Sequence, residues 1–294
     1  MMTPAADISP GGGHFVLPCG YVGEDGALHR EVELSPLTGH DEEYLACVRA
    51  DAPTAAAVTG LLSRCVRRLG TLGRVDAALA RRLAVCDRDY LVVKAREMTF
   101  GPKVDAVLGC QNPSCGEPLD VSFMLDQLHF EPRPAGARFF TADLSPEVEM
   151  RLPTGGDQEA VAALCRVDED RALTLLLARC LRRVGECADV DEGFVEGLAP
   201  GLRREIEAEM MRRSPQVNVE LEGFCPECGA PFSTALDFTA FFAAEMRNGL
   251  AALEREVHLL ARHYHWSERE ILSLPRRKRG RYLSLLREEL ERFD

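Results

Sequence analysis

The sequence predicts an α+β protein made of an internally duplicated domain, with a zinc-ribbon-like site shared by the two copies and a helical C-terminal arm. Three observations predict this fold class. A long segment recurs once, each copy has the order strands, helices and then strand, cysteine knuckle and strand, and a long helical pattern follows the second copy. The predicted parts are a disordered tail at 1–13, copy 1 at 14–130, a linker at 131–138, copy 2 at 139–240 and the arm at 241–294.

The duplication rests on three matches in the same order. The stretch Glu-Val-Glu-Leu at 31–34 recurs as Glu-Val-Glu-Met at 147–150. The stretch Leu-Leu-Ser-Arg-Cys-Val-Arg-Arg-Leu-Gly at 61–70 recurs as Leu-Leu-Ala-Arg-Cys-Leu-Arg-Arg-Val-Gly at 176–185. The cysteine knuckles that begin at Cys110 and Cys225 complete the series. Two copies at such a long period indicate paired domains rather than a repeat array.

In copy 1, alternating apolar residues predict strands at 14–22 and 27–34, joined by a Gly-rich turn. Thr38 or Asp41 is placed to cap a following helix. An amphipathic helix is expected from Val58 to Leu69, ended by Gly70. Further along copy 1, the sequence predicts helices at 75–84 and 87–98, and strands at 104–108 and 119–123 on either side of the first knuckle.

Copy 2 repeats this plan. The sequence predicts a strand at 147–152, a main helix at 168–184, a second helix at 202–211, and a strand at 216–224 that leads into the second knuckle. Between the copies, Pro132 and Pro134 predict a short, semi-rigid linker.

The arm is predicted to be helical throughout. A long helix is expected at 241–265, and Ser267 with Glu270 forms the capping-box pattern that begins a short helix. Pro275 suits the first turn of a last helix at about 276–293.

The two knuckles carry the clearest chemistry. Cys110 and Cys115 are separated by four residues, Cys225 and Cys228 by two, and a glycine follows each second cysteine. A short Cys-to-Cys step through a tight turn places two thiolates on one metal ion, and zinc takes four such ligands in a tetrahedron. Each copy supplies only two cysteines, so the sequence predicts one structural zinc bound by all four. Four protein ligands would leave no open position for catalysis.

Three alternatives remain for the knuckles. A redox Cys-x-x-Cys normally has its first cysteine at a helix N-terminus, whereas strand-like segments flank both pairs. Each pair could bind its own metal with other ligands, or bind nothing. Separate disulfides are the third alternative, and a chain without an export signal does not favour them.

Composition sets further limits. A net charge of −12 opposes general attraction to nucleic acid, and no apolar run of 18 residues is present. The N-terminal residues lack the pattern of a signal peptide, so we expect a cytoplasmic protein. Five cysteines lie in helical patterns and are interpreted as small core residues: Cys47, Cys65, Cys165, Cys180 and Cys187.

Partner-binding residues are predicted in the arm. Trp266, the only tryptophan, lies at a joint between helices, where it packs the joint or contacts a partner. A basic cluster follows on this acidic chain: Arg276, Arg277, Lys278, Arg279 and Arg281. Such a cluster at a helix start favours a solvated face or an acidic protein partner over nucleic acid.

No catalytic constellation is visible. The chain has no Gly-x-Ser-x-Gly and no phosphate-binding Gly-Lys-Ser loop, and the glycines at 11–13 lie in the predicted tail. We therefore expect a protein that is not an enzyme.

Several short motifs together resemble a known family. They are Leu-Pro-x-Gly-Tyr-Val at 17–22, Leu-Thr-Gly-x-Asp-Glu-Glu at 37–43, Arg-Cys-Val-Arg-Arg at 64–68, Asp-Arg-Asp-Tyr-Leu at 87–91, and the first knuckle. The chain resembles proteins encoded with phage-tail-like contractile injection systems, which are similar to baseplate hub assembly proteins of contractile-tailed phages. The stretch 264–281 also resembles a segment of small tail and baseplate proteins.

This resemblance implies a non-enzymatic role in building or capping a baseplate, with baseplate, spike or tail-tube proteins as partners and with incorporation into a phage-tail-like particle. The main alternative is a zinc-ribbon adaptor that binds nucleic acid through the basic cluster. A weaker alternative is a thiol oxidoreductase that uses Cys225 and Cys228.

Overall fold

The structure is a computed structural model that describes residues 12–48, 53–125, 139–214 and 219–292. The predicted tail up to residue 11 and the predicted linker at 131–138 lie outside these residues. The elements of the first half are β1 (Gly13–Val22), β2 (Leu28–Leu34), α1 (Gly39–Cys47), α2 (Thr54–Cys65), β3 (Val66–Leu69), α3 (Ala77–Arg82), α4 (Val85–Phe100), β4 (Lys103–Gly109) and β5 (Pro118–Met124).

Of the first four elements in the second half, the sequence predicted only the second strand and the second helix. Its elements are β6 (Phe139–Ala142), β7 (Val148–Arg151), α5 (Gly155–Val161), α6 (Glu169–Cys180), β8 (Leu181–Val184), α7 (Glu192–Glu196), α8 (Pro200–Arg213), β9 (Val219–Phe224), β10 (Pro231–Leu236), α9 (Phe238–Tyr264), α10 (Glu268–Leu272) and α11 (Arg276–Leu290). Helices and small antiparallel sheets are both present, as expected for an α+β protein.

The chain divides into two compact units. The sheet unit comprises residues 1–35, 50–91 and 130–216. The arm unit comprises residues 36–49, 92–129 and 217–294. Each unit takes segments from both predicted copies, so a predicted copy is not a compact body by itself.

Two three-stranded antiparallel sheets form the frame of the sheet unit. One has the order β1-β2-β3 and the other the order β6-β7-β8. The second sheet packs its inner face on α6 and α8 through Met150, Leu177, Cys180 and Ile206, all essentially fully buried. Burial of such side chains is the main stabilising contribution to a core of this kind.

The two main helices are shorter than predicted. The helix expected to continue to Leu69 ends at Cys65, and the one expected to continue to residue 184 ends at Cys180. In both places the next four residues form a strand at the edge of a sheet, with the outer two buried. Val66 and Leu69, like Leu181 and Val184, are three positions apart, which is a spacing that also suits one face of a helix. Here hydrogen-bonded pairing with β2 or β7 makes the backbone extended instead.

Two of the five cysteines interpreted as core residues are not in the core. Cys65 and Cys180 are buried at the ends of α2 and α6, whereas Cys47 and Cys165 are exposed and Cys187 is half-buried. The prediction was wrong for Cys47 and Cys165, since Cys47 is the exposed last residue of α1 and Cys165 lies in a single 3-10 turn, Leu164–Arg166, that buries no side chain.

Helix starts agree with the predicted caps. The hydroxyl and the amide of Thr38 both donate to the carboxylate of Asp41, at 2.7 and 2.9 Å, and Thr154 makes the same bonds to Asp157.

Asp157 also accepts hydrogen bonds from Arg151 and Arg179. Burial raises the pKa of Asp157, but the bonds from Arg151 and Thr154 outweigh it and hold the pKa well below its ordinary value.

We expect this carboxylate to make the protein sensitive to acid. Because the pKa of Asp157 is lower in the folded state, its stabilisation is fully present above the unfolded-state value, near pH 4, and is lost as pH falls. Asp157→Asn should lower the free energy of unfolding by about 2 kcal/mol at pH 7, and this difference should narrow by about 1 kcal/mol at pH 3. Denaturant unfolding at both pH values measures it.

Asp143→Asn is the control, since Asp143 is exposed in the same unit. An Asp157→Asn deficit that stayed constant from pH 7 to pH 3 would contradict the assignment.

The arm unit is organised around α9. This helix packs against α1, α10 and α11, and Phe242 meets Phe100 of α4 edge to face. The left-handed backbone of His265 ends α9, and Ser267 with Glu270 forms the predicted capping box. Among the described residues, no helix is long and apolar enough to cross a bilayer.

A buried ion pair holds α1 against the arm. The guanidinium of Arg279 is 0% exposed and donates to Glu42 of α1 at 2.7 Å and to Glu256 of α9 at 3.0 Å. Arg276 also pairs with Glu42, at 2.8 Å. Gly39 lies beside this group, and a side chain there would meet Leu272 at 2.8 Å, so only glycine fits.

Arg279→Met should destabilise the arm unit strongly, because it leaves the Glu42 carboxylate buried with one fewer partner. We expect a loss of about 3 kcal/mol in the free energy of unfolding. Arg277→Met on the same helix is the matched control, since Arg277 is exposed and its loss should change stability by about 0.5 kcal/mol or less. Equal effects of the two substitutions would refute a structural role for Arg279.

Candidate metal centre

The first knuckle is a tight turn between β4 and β5. The amide of Cys110 donates to the carbonyl of Glu117 at 2.9 Å, which closes the hairpin. The amides of Cys115 and Gly116 both donate to the carbonyl of Asn112, and Gly116 has φ of +67°. Glycine adopts this left-handed conformation without the strain that other residues incur.

The second knuckle is built in the same way between β9 and β10. The amide of Cys225 donates to the carbonyl of Ala230 at 2.9 Å, and the amide of Gly229 donates to the carbonyl of Cys225 at 2.8 Å. Gly229 has φ of +69°. Both hairpins belong to the arm unit, and the strands on either side of each knuckle confirm the predicted strand–knuckle–strand order.

The structure brings all four predicted ligands together. The sulfurs of Cys110 and Cys228 are 3.7 Å apart, and those of Cys115 and Cys225 are 3.9 Å apart. All four sulfurs lie within 4.8 Å of one another. Two thiolates on one tetrahedral zinc, with Zn–S bonds of about 2.3 Å, lie about 3.8 Å apart. These four residues, which we call the four-cysteine centre, therefore have the spacing of a zinc site.

Polar contacts bind the two knuckles to each other. The amide nitrogen of Asn112 donates to the sulfur of Cys228 at 3.6 Å, and that of Gln111 donates to the carbonyl of Ser233 at 3.3 Å. Cys225 is buried and Cys228 is exposed, so one side of the centre is open to solvent. Asn112 was not identified from the sequence, because its role depends on a cysteine 116 residues away.

The thiols of the centre differ in acidity. A hydrogen bond from the backbone of Ala230 and one from the side chain of Asn112 lower the pKa of Cys228 to about 6. The backbone of Glu117 acts to lower the pKa of Cys115, but burial and the neighbouring sulfurs outweigh it and raise the value to about 12. Cys228 is therefore the thiol of the centre that loses its proton most readily, and a bound cation would stabilise further negative charge on the adjacent sulfurs.

The positions of the four cysteines and the distances between their sulfurs help to distinguish the alternatives for the knuckles. Each cysteine pair lies in a hairpin turn and not at a helix N-terminus, which is the position that activates a redox cysteine. The short cross-knuckle distances favour one shared metal over two separate ones, because each sulfur has a close neighbour from the other hairpin.

The predicted partner-binding residues fall into two groups. Arg276 and Arg279 face inward, onto Glu42 and Glu256. Arg279 is fully buried and cannot contact a partner, so the prediction is corrected at that residue. Arg277, Lys278 and Arg281 are exposed.

Trp266 is half-buried and lies in an aromatic cluster. Its ring stacks on Tyr264 with centroids 5.0 Å apart and meets Tyr282 edge to face at 4.8 Å. This packing joins the end of α9 to α11, and it explains the position of Trp266 without a contact to another protein. The partner-binding role of the exposed residues stays a prediction.

Comparison with known proteins relates the chain to a family of phage proteins. A family model described as T4 bacteriophage base plate protein matches residues 19–243, about three quarters of the chain. The match includes both knuckles and ends inside α9, so the basic cluster lies beyond it. No curated protein and no solved structure matches significantly.

We predict one zinc per chain and joint loss of it from either knuckle. Cys110→Ser and Cys225→Ser should each abolish stoichiometric zinc, because three thiolates hold the ion much less tightly than four. Elemental analysis of protein purified under reducing conditions without chelator measures the content. Cys165→Ser, at an exposed cysteine outside the centre, should keep the full amount. Half-loss from each knuckle variant would instead indicate two independent sites.

Proposed function

The chain belongs to the T4 bacteriophage base plate protein family, and we propose that it is a non-enzymatic structural component or assembly chaperone of a contractile tail or injection-system baseplate. The observation that carries this proposal is the family match over residues 19–243. Its partners are then other proteins of the baseplate, spike or tail tube, and it acts by binding them.

A single structural zinc on Cys110, Cys115, Cys225 and Cys228 stabilises this protein. The support is the sulfur spacing of 3.7 and 3.9 Å and the open side at Cys228, through which an ion can enter. The zinc would supply a fixed cross-link between two hairpins and no reaction step. It would tie together residues from both predicted copies.

The fold derives from an internal duplication. Each predicted copy has a three-stranded antiparallel sheet in sequential order, and in each a helix continues directly into the third strand after an Arg-Cys pair. The sheet pairings have a register shift at equivalent places, between Glu33 and Leu34 and between Glu149 and Met150. Unrelated segments have no reason to share such an irregularity.

The partner-binding surface includes the exposed cations at the start of α11. Arg277, Lys278 and Arg281 are exposed, whereas the other two basic residues of the cluster are neutralised by glutamates of the same unit. Three exposed cations on a chain of net charge −12 suit an acidic patch on a protein better than a polyanion.

Co-purification from producing cells tests the proposal. The intact chain should enrich baseplate, spike or tail-tube proteins, and the triple change Arg277→Glu, Lys278→Glu and Arg281→Glu should reduce that enrichment about tenfold or more at low salt. The matched control carries Arg255→Glu, Arg262→Glu and Arg287→Glu, which change the same charge at exposed positions of the same arm.

If the intact chain enriched none of these proteins, the baseplate role would be withdrawn. Salt-dependent binding of DNA or RNA, lost in the first triple variant and kept in the control, would support the nucleic-acid adaptor instead.

A further inference from the structure

A second pair of cysteines lies in the sheet unit, whereas the four-cysteine centre belongs to the arm unit. Cys19 belongs to β1 and Cys86 to the first turn of α4, and their sulfurs are 3.0 Å apart. Both side chains are buried, in a small core group with Ala84 and Leu152. Neither residue belongs to the four-cysteine centre or to the exposed basic residues of α11, to which the proposed function assigns roles.

The two cysteines are held in place by their surroundings. The carboxylate of Asp87 accepts hydrogen bonds from the amides of Cys19 and Gly20, at 2.8 and 2.9 Å. These bonds fix the irregular stretch of β1, where the pairing with β2 shifts register, against the start of α4. The short sulfur contact is therefore part of an ordered junction.

The distance between the sulfurs of Cys19 and Cys86 distinguishes metal binding from disulfide formation. Thiolates on one tetrahedral zinc lie about 3.8 Å apart, which the four-cysteine centre matches and this pair does not. Asp87 is the third member of this possible ligand group, but both of its carboxylate oxygens already accept backbone hydrogen bonds from Cys19 and Gly20. A distance of 3.0 Å is only about 1 Å longer than a disulfide bond.

We propose that Cys19 and Cys86 form a reversible disulfide that ties β1 to α4 when the protein meets a low-molecular-weight disulfide such as glutathione disulfide. One thiol loses its proton to solvent and attacks the oxidant, which releases one glutathione thiolate. The second cysteine, also deprotonated, attacks the protein sulfur of the mixed disulfide and releases the second thiolate. The two cysteines are oxidised, and one glutathione disulfide is reduced to two glutathiones.

Burial sets the rate of this reaction. Both residues are only 2% exposed, so the oxidant reaches their sulfurs only when the end of β1 opens. The hydrogen bond with Cys19, burial and the charge of Asp87 all raise the pKa of Cys86, which makes thiolate scarce. The bond should therefore form slowly in the folded protein, over hours, and faster at higher pH.

Peptide mapping of the unaltered full chain tests the proposal directly. The protein is incubated with glutathione disulfide or with a reductant, free thiols are blocked with N-ethylmaleimide, and the chain is cut with trypsin. Cys19 is the only cysteine of the peptide 1–30, and Cys86 the only one of the peptide 83–88. We expect these two peptides to be joined, two hydrogens lighter than their sum, in the oxidised sample alone.

Cys65→Ser is the matched control, since Cys65 is equally buried in the same unit, and this variant should still form the link. Oxidation should raise the Tm of the unaltered chain by roughly 5 °C or more, because the bond closes a long loop, and it should not do so in Cys86→Ser.

Three results would overturn the proposal. One is recovery of both peptides only as maleimide adducts after a day with the oxidant, and another is a glutathione adduct on either cysteine without the link. The third is a second metal ion per chain that Cys86→Ser removes, which would assign the pair to metal binding instead.

Discussion

Four sulfur atoms meet where the turns of two short hairpins of the arm unit come together. The hairpins β4–β5 and β9–β10 are two-stranded sheets, and an isolated two-stranded hairpin is only marginally stable in water. Their turns meet at Cys110, Cys115, Cys225 and Cys228, with half-buried or exposed residues around them. A metal ion bound by the four sulfurs would cross-link the two hairpins at this point, beside the few buried apolar residues that their strands contribute, such as Val104 and Leu119.

Buried charges have a comparable role elsewhere, and each unit has its own. In the arm unit, Arg279 joins α1, α9 and α11 through two glutamates. In the sheet unit, Asp157 joins β7 and α6 through two arginines. Such pairs contribute less net stability than an equal apolar surface, but any arrangement that separates them is strongly disfavoured. They therefore select one packing of the helices.

Local signals in the sequence predicted local structure well. The strands β1, β2, β4 and β5, the caps at Thr38 and Ser267, and the helical arm all follow from patterns that span a few residues. The same reasoning failed at Cys65 and Cys180, because the spacing of the next apolar residues suits both a helix and a short strand. Only pairing with a distant strand decides between them.

That four cysteines meet could be predicted for the same reason, since each knuckle is a local pattern and the recurrence suggested that the knuckles come together. What the sequence could not supply was the set of long-range partners. Glu42 is more than 230 residues from Arg279, and Cys19 is 67 residues from Cys86. No periodicity or motif marks such residues before the chain is folded.

The division of each unit among three chain segments has a consequence for the order of folding. Glu42 leaves the ribosome early, whereas Arg279 is 237 residues further along. At a synthesis rate of about 5–20 residues per second, the first waits roughly 10–50 seconds for the second. During that interval α1 has no counter-charge from the arm. The arm unit therefore completes this buried ion pair only when translation is nearly finished, and a nascent chain would expose the Glu42 carboxylate without its arginine partners until then.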